Sequence, residues 1–247
     1  CAIPGTPTAL STLATYTVTA TNSGGSGTAS FSITVNDVAP SIAFSPNSLV
    51  ATKNAAITTQ TPSSTGGAIT GCSASPALPA GLNLSSSTCA ISGTPTALSA
   101  QAVYTITASN SGGTGTASFT LTVNDVTPDI RFNPASQTLT KGSTISDILP
   151  TNLGGAITSC SITPSLPAGL SFDSNFCTIS GTPSAVSQAT TYTITASNSG
   201  GPSSAILQLT VNDVAPVIAF SPNSLVATKN AAITTQTPSS TGGTITG

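Results

Sequence analysis

LPAGLNLSSSTCAISGTP, residues Leu78–Pro95, returns 88 residues later as LPAGLSFDSNFCTISGTP, residues Leu166–Pro183. The second half of the same unit opens the chain, where Cys1-Ala-Ile-Pro-Gly-Thr-Pro aligns with Cys89-Ala-Ile-Ser-Gly-Thr-Pro. Self-similarity at a fixed period of this length marks an array of one structural unit, and it takes precedence over any local pattern. Closing each unit on the Asn-Asp pair that ends at Asp37, Asp125 and Asp213 divides the 247 residues into four pieces. These are a C-terminal half-module over 1–37, complete modules over 38–125 and 126–213, and an N-terminal half-module over 214–247. Residues 214–247 repeat 38–71 with differences only at Ser41/Val217 and Ala68/Thr244. A module of this size can bury a modest core of its own.

Each module shows strand patterning and no helical stripe. Residues 14–21, ATYTVTAT, alternate Tyr16, Val18 and Ala20 against threonines, the pattern of a strand with one buried face. Asn22-Ser-Gly-Gly-Ser-Gly then supplies turn chemistry, and Ala29, Phe31, Ile33 and Val35 alternate with Ser and Thr, which predicts a hairpin. The hairpin recurs over Tyr104–Val123 and Tyr192–Val211, with Pro202 near the third turn predicting a stiffer loop there. Pro40 bars a helix after Asn36-Asp37, and Ile42 and Phe44 open the next strand. Ser48–Ala56 and Ile69–Ala74 predict further strands around a Thr61–Gly67 loop. About seven short strands per module and no helix imply an all-β fold of tandem β-sandwiches. The near absence of linker residues predicts a stiff, rod-like array.

Composition narrows the function classes. Only 4% of residues are charged, with no His, Met or Trp, and Ser, Thr, Ala and Gly dominate, where an ordinary globular domain carries about a quarter charged residues. The four cations, Lys53, Arg131, Lys141 and Lys229, are too dispersed to neutralise a run of phosphates, so nucleic acid is not an expected partner. No apolar run approaches the roughly 20 residues of a membrane span, so membrane insertion is not expected. A neutral, hydroxyl-rich surface repels copies of itself weakly, which suits a matrix or sheath. With neither a signal peptide nor an initiator Met, the sequence reads as an excerpt of something longer or processed.

The five cysteines keep the period. Cys72 and Cys89 stand 17 apart, as do Cys160 and Cys177, in a chain lacking the His and extra Cys of a zinc site. One disulfide per module in an oxidising compartment is the reading, against buried free thiols. Such a loop closure stabilises a module by about 3 kcal/mol in the chain-entropy picture. Cys1 has no partner inside this scheme.

The succession Leu-Pro-Ala-Gly-Leu, Ile-Ser-Gly-Thr-Pro, Tyr-Thr-Ile-Thr-Ala-Ser-Asn-Ser-Gly-Gly and Leu-Thr-Val-Asn-Asp resembles the tandem immunoglobulin-like repeats of large bacterial surface proteins, akin to cadherin-like domains of the dystroglycan type. The resemblance covers the whole chain. It implies an extracellular immunoglobulin-like sandwich used as spacer, stalk or adhesive rod. Cys89 and Cys177 depart from it, since such repeats often carry Gly there.

Chemistry is sparse. The acids are Asp37, Asp125, Asp129, Asp147, Asp173 and Asp213, and no two recur together as a pair in the modules, so neither catalysis nor a cofactor is expected. The Val-Asn-Asp-Val junctions, each followed by Ala-Pro or Thr-Pro, echo the inter-domain calcium linker of cadherins and make Asp37, Asp125, Asp129 and Asp213 calcium candidates. Calcium takes about six to eight oxygens, so the competing reading is an Asn-Asp turn capping the junction. Lys53, Lys141 and Lys229 sit at equivalent positions. They are either edge lysines that deter strand pairing or partners of an Asn or Asp in an isopeptide cross-link of the pilin kind. Tyr16, Tyr104 and Tyr192 fall on the core face and offer no sugar platform. Rows of Thr could be imagined as an ice-binding face but are what any solvent-facing strand shows. Asn83-Leu-Ser is the one N-glycosylation sequon and has no counterpart in the next module.

The expected function is a structural fibre or stalk, extracellular, on the cell surface or in a secreted filament, with adjacent repeats or copies of itself as partners. The alternative is an adhesin recognising a carbohydrate or surface protein. Two arrangements of the end pieces stay open. Either they are cut from a long array, or open half-modules complete each other head to tail by strand addition.

Overall fold

Alternating side chains give strands, and the computed structural model, which describes residues 1–245, holds twenty of them and no helix among those residues. They fall into two compact units, 1–124 and 125 onward.

The first unit begins with a hairpin of β1 (Ser11–Asn22) and β2 (Gly25–Val35), turned by Ser23 and Gly24 alone. A sandwich follows, made of β3 (Ser41–Ala43), β4 (Ser48–Thr52), β5 (Ser63–Thr65), β6 (Gly71–Ser75), β7 (Leu82–Leu84), β8 (Ile91–Gly93), β9 (Ser99–Asn110) and β10 (Gly113–Asn124). Its main sheet runs β4-β10-β9-β6, with β4 parallel to β10 and the other pairs antiparallel. The short pairs β3–β5 and β7–β8, with a bridge between Gln60 and Ile91, pack across the core. Strand alternation decides that core. Tyr104, Ile106 and Ala108 of β9 and Phe119, Leu121 and Val123 of β10 point inward against Ile42, Phe44, Leu82 and Ile91. Each such large side chain stabilises the fold by about 1.5–3 kcal/mol relative to exposure.

The second unit repeats this order. Its strands are β11 (Ile130–Arg131), β12 (Ser136–Thr140), β13 (Thr151–Asn152), β14 (Ser159–Thr163), β15 (Leu170–Asp173), β16 (Thr178–Gly181), β17 (Ser187–Asn198) and β18 (Gly201–Asn212). The main sheet is β12-β18-β17-β14, again with a parallel pair, β12 beside β18. A last antiparallel pair, β19 (Val217–Ala219) and β20 (Ser239–Thr241), closes the described chain.

The stretch that sets the repeat is a clasp. Thr94 N–H donates to Gly81 O at 3.0 Å and Thr96 N–H to Ala80 O at 2.9 Å, and the second module reproduces both bonds at Thr182→Gly169 and Ser184→Ala168. Gly81 lies at φ +89°, and a Cβ there would run into the carbonyl of Thr94. The Gly of LPAGL and the Gly of SGTP are therefore two halves of one close backbone approach.

Several local expectations shift. Each sandwich has eight strands, because the Thr61–Gly67 loop contains β5, whose hydroxyl residues carry no apolar signal. The strand expected to reach Ala56 ends at Thr52, where Lys53 and Asn54 turn. The strand expected from Ile69 begins at Gly71. Pro202 stiffens no loop, since it lies inside β18 opposite Ser197 and the turn is Ser199-Gly200. Tyr104 and Tyr192 are buried, but Tyr16 is 49% exposed and stacks on Phe31 at 5.7 Å between ring centres, because no second layer covers its hairpin.

Candidate functional site

Among the described residues the acids do not assemble into a reactive cluster, and no group of three His, Cys, Asp or Glu side chains could hold a metal. Asp129 is taken by Arg131, whose guanidinium lies 2.9 Å from its carboxylate; that hydrogen bond and charge hold the Arg131 pKa above its ordinary value. Asp173 accepts from the N–H groups of Asn175 and Phe176 and shapes the turn leading to Cys177.

The recurring geometry is at the junction aspartates. Asp37 follows β2, yet its hydrogen bonds run forward. Its Oδ1 accepts from Val38 N–H at 2.9 Å and its Oδ2 from Ala68 N–H at 3.1 Å, while its own N–H donates to Ser111 Oγ at 3.0 Å. Asn110 completes the latch by donating Nδ2 to Val38 O at 2.7 Å, and its Oδ1 accepts from Gly112 N–H at 2.8 Å. The second unit rebuilds it. Asp125 N–H donates to Ser199 Oγ at 2.9 Å, Val126 N–H donates to Asp125 Oδ1 at 2.9 Å, and Asn198 donates to the carbonyls of Val126 and Ala156. Glycines make the approach possible, since a Cβ on Gly112 or Gly200 would strike the backbone carbonyl of Asp37 or Asp125. Both oxygens of Asp37 are thus engaged by backbone N–H groups in an Asx-type cap. The expected module boundary, drawn after each Asp, separates these carboxylates from the loops they bind. Sequence reading passed over Ser111, Ser199, Asn110 and Asn198 as turn residues. The signal was the constant 74-residue interval from each Asp to its Ser.

The other singled-out residues stand apart from this latch. Cys72–Cys89 and Cys160–Cys177 are disulfides with Cα atoms 5.4 and 5.3 Å apart, and Cys1 is free and exposed. Both Cys89 and Cys177 occupy the left-handed region, at φ +55° and +57°, a conformation that favours glycine. Lys141 Nζ lies 3.8 Å from Asp213 Oδ1 with both side chains partly exposed, an ion pair of the weak surface kind. Lys53 and Lys229 form no ion pair among the described residues, and Asn83 is exposed on β7. Thr and Ser fill the outer faces of the long strands, bonded across them at Thr15–Ser32, Thr17–Ser30 and Thr195–Ser204.

Comparison with known proteins follows the fold. The family model described as "Putative Ig domain" matches twice, over residues 39–124 and 128–212. Over 126 residues the chain is 35% identical to the "Serine-rich adhesin for platelets" of Staphylococcus aureus and 34% identical to the protein of that name from strain MRSA252. These matches take in 50% of this chain but only 5% and 9% of the relatives, so the chain spans less than a tenth of their length. An I-band fragment of titin is similar at 14% identity and a TM-score of 0.46, covering 81% of this chain and 75% of that one.

Proposed function

Because the chain belongs to the Putative Ig domain family, we propose that it is a load-bearing segment of an extracellular surface protein, a stalk or fibre without catalytic activity. The division into modules at 1–37, 38–125, 126–213 and 214–247 is part of this reading, as is placement on the cell surface or in a secreted filament. One observation carries it. In each sandwich the second strand and the last strand lie side by side and parallel, Ser48–Thr52 along Thr120–Asn124 and Ser136–Thr140 along Gln208–Asn212. Tension on the two ends of a module pulls such strands in opposite directions along their length, so the ladder bonds share the load instead of opening one by one. The bonds Thr120 N–H to Asn47 O and Lys53 N–H to Asn124 O, each 2.8 Å, close the ladder at its two ends.

Single-molecule stretching tests the reading. An intact disulfide withholds the 17-residue interval of each loop, so reductant should lengthen each unfolding step by about 55 Å, taking about 3.5 Å per extended residue and subtracting the bridged Cα distance. Unfolding without a resolved force peak would count against a load-bearing role.

A second reading, an adhesin whose loops recognise a carbohydrate or surface protein, is favoured by the likeness to proteins named as adhesins for platelets. Saturable binding of the purified chain to platelets or to a glycan array would select it.

A further inference from the structure

The two complete modules share one fold and differ in what they leave on its surface. Where the first has Thr61, Thr65 and Thr88, the second has Leu149, Leu153 and Phe176. These three side chains are 63%, 67% and 70% exposed. The fold does not call for them, since threonine fills the same positions in the same architecture one repeat earlier.

They belong to one face. Ile148 bridges Ile179 and is buried, so Leu149, the next residue, lies beside Thr178 on the outer side. Thr178 pairs with Asp173, and Phe176 stands in the turn that joins their strands. At the other end Leu153 N–H donates to Asp129 O at 2.9 Å, and Arg131 pairs with Thr151 between the two leucines. The layer of short strands β11, β13, β16 and β15 thus carries an apolar strip along its outer side, where the first module presents hydroxyls.

The charges are on the same face. The junction aspartates Asp37, Asp125 and Asp213 are matched in number by Lys53, Lys141 and Lys229, which leaves the net charge of −2 to Asp129, Asp147 and Asp173 against Arg131. Asp129 is engaged by Arg131. Asp147, exposed two residues before Leu149, forms no ion pair among the described residues. Asp173 accepts from Phe176 N–H at 3.3 Å, and in the first module Ser85 Oγ accepts from Thr88 N–H at 3.3 Å. The turn therefore needs an acceptor and not a carboxylate, so this negative charge is surplus to the fold.

We propose that this face, within residues 129–178, is a docking surface for a protein segment in which Lys or Arg side chains flank apolar ones. An apolar centre with a charged rim is the ordinary build of a protein interface, and the sign of the rim selects the partner. A second copy of this chain does not fit, because its cations are Arg131 and three dispersed lysines. Anionic glycans and lipid headgroups would meet the wrong sign of charge. The inference deepens the adhesin reading by giving it a surface and a partner chemistry.

The test selects a displayed library of random peptides on the full chain and measures the resynthesised winners by calorimetry. They should combine Lys or Arg with Leu, Ile or Phe, and lose affinity as salt rises. Leu149→Thr, Leu153→Thr and Phe176→Thr together, each the residue of the first module, should weaken binding by about tenfold or more. Asp147→Thr with Asp173→Ser, again the residues of the first module, should weaken it by roughly three- to tenfold and flatten the salt dependence. Unchanged melting shows that each variant is folded, and if the apolar variant melts early the charge variant decides. Winners without an excess of positive charge, or with affinity indifferent to the variants, would overturn the inference, as would a selection that yields none. None of these outcomes bears on binding to platelets or glycans through other loops, so the adhesin reading stands or falls by its own assay.

Discussion

Replacing Cys89 and Cys177 by Gly should do less damage than replacing them by Ala, although Gly removes more of the side chain. Both cysteines are fully buried and sit at φ +55° and +57°. A residue with a Cβ is disfavoured there by about 1–2 kcal/mol, and glycine is not. Glycine loses more backbone entropy on folding, about 0.5–1 kcal/mol, so its net advantage over Ala is about 0.5–1 kcal/mol per module. The disulfide contributes about 3 kcal/mol, which is why a cysteine is tolerated in a glycine conformation. The comparison is made with Cys72→Ala and Cys160→Ala in both chains, so that neither can form a bridge. In urea, with a slope of about 1–3 kcal/mol per molar, the Gly chain should unfold at a midpoint higher by roughly 0.2–1 M, and both should fall well below the intact protein. Equal midpoints, or a higher one for Ala, would show that the left-handed backbone is not held at these positions once the bridge is gone.

Gly81→Ala should lower stability by about 3 kcal/mol or more, because left-handed strain adds to a collision with the Thr94 carbonyl. Gly142→Ala, at φ +77° with nothing within 4 Å, should lose only about 1 kcal/mol, and thermal unfolding of the two separates strain from crowding. Asp125→Ala should destabilise the second sandwich by about 1 kcal/mol and leave the first unchanged, with Asp125→Asn recovering part of the loss because an amide oxygen can still accept from Val126 N–H. Calcium should leave the melting profile where it is, since backbone N–H groups hold both oxygens of Asp37; a clear rise in melting temperature would restore the calcium reading of Asp37, Asp125, Asp129 and Asp213.

The long hairpins were readable because their inner faces obey strict alternation, so Tyr104, Ile106, Phe119 and Leu121 declare their side of the sheet. β5 was not, because Ser63–Thr65 pairs through its backbone and presents no apolar residue. The two glycines of the clasp showed in the sequence as a recurrence, but only the carbonyl contacts explain why LPAGL and SGTP travel together. Tyr16 misled for a different reason. Its strand alternates like β9 and β17, and burial depends on a second layer that pattern alone does not supply.

The junction aspartates show how a motif can be written in one repeat and folded into the next. The Asn-Asp that seems to end a strand ends it only as far as the Asn, at Asn124 and Asn212, while the Asp belongs to the loops that follow. A calcium linker would use such a residue as a shared ligand. At Asp37 both carboxylate oxygens accept instead from N–H groups of one module, an arrangement that uses one carboxylate at the junction. That economy fits a chain with so few charges, because a cap built from one Asp, one Ser and one Asn fixes where each sandwich begins.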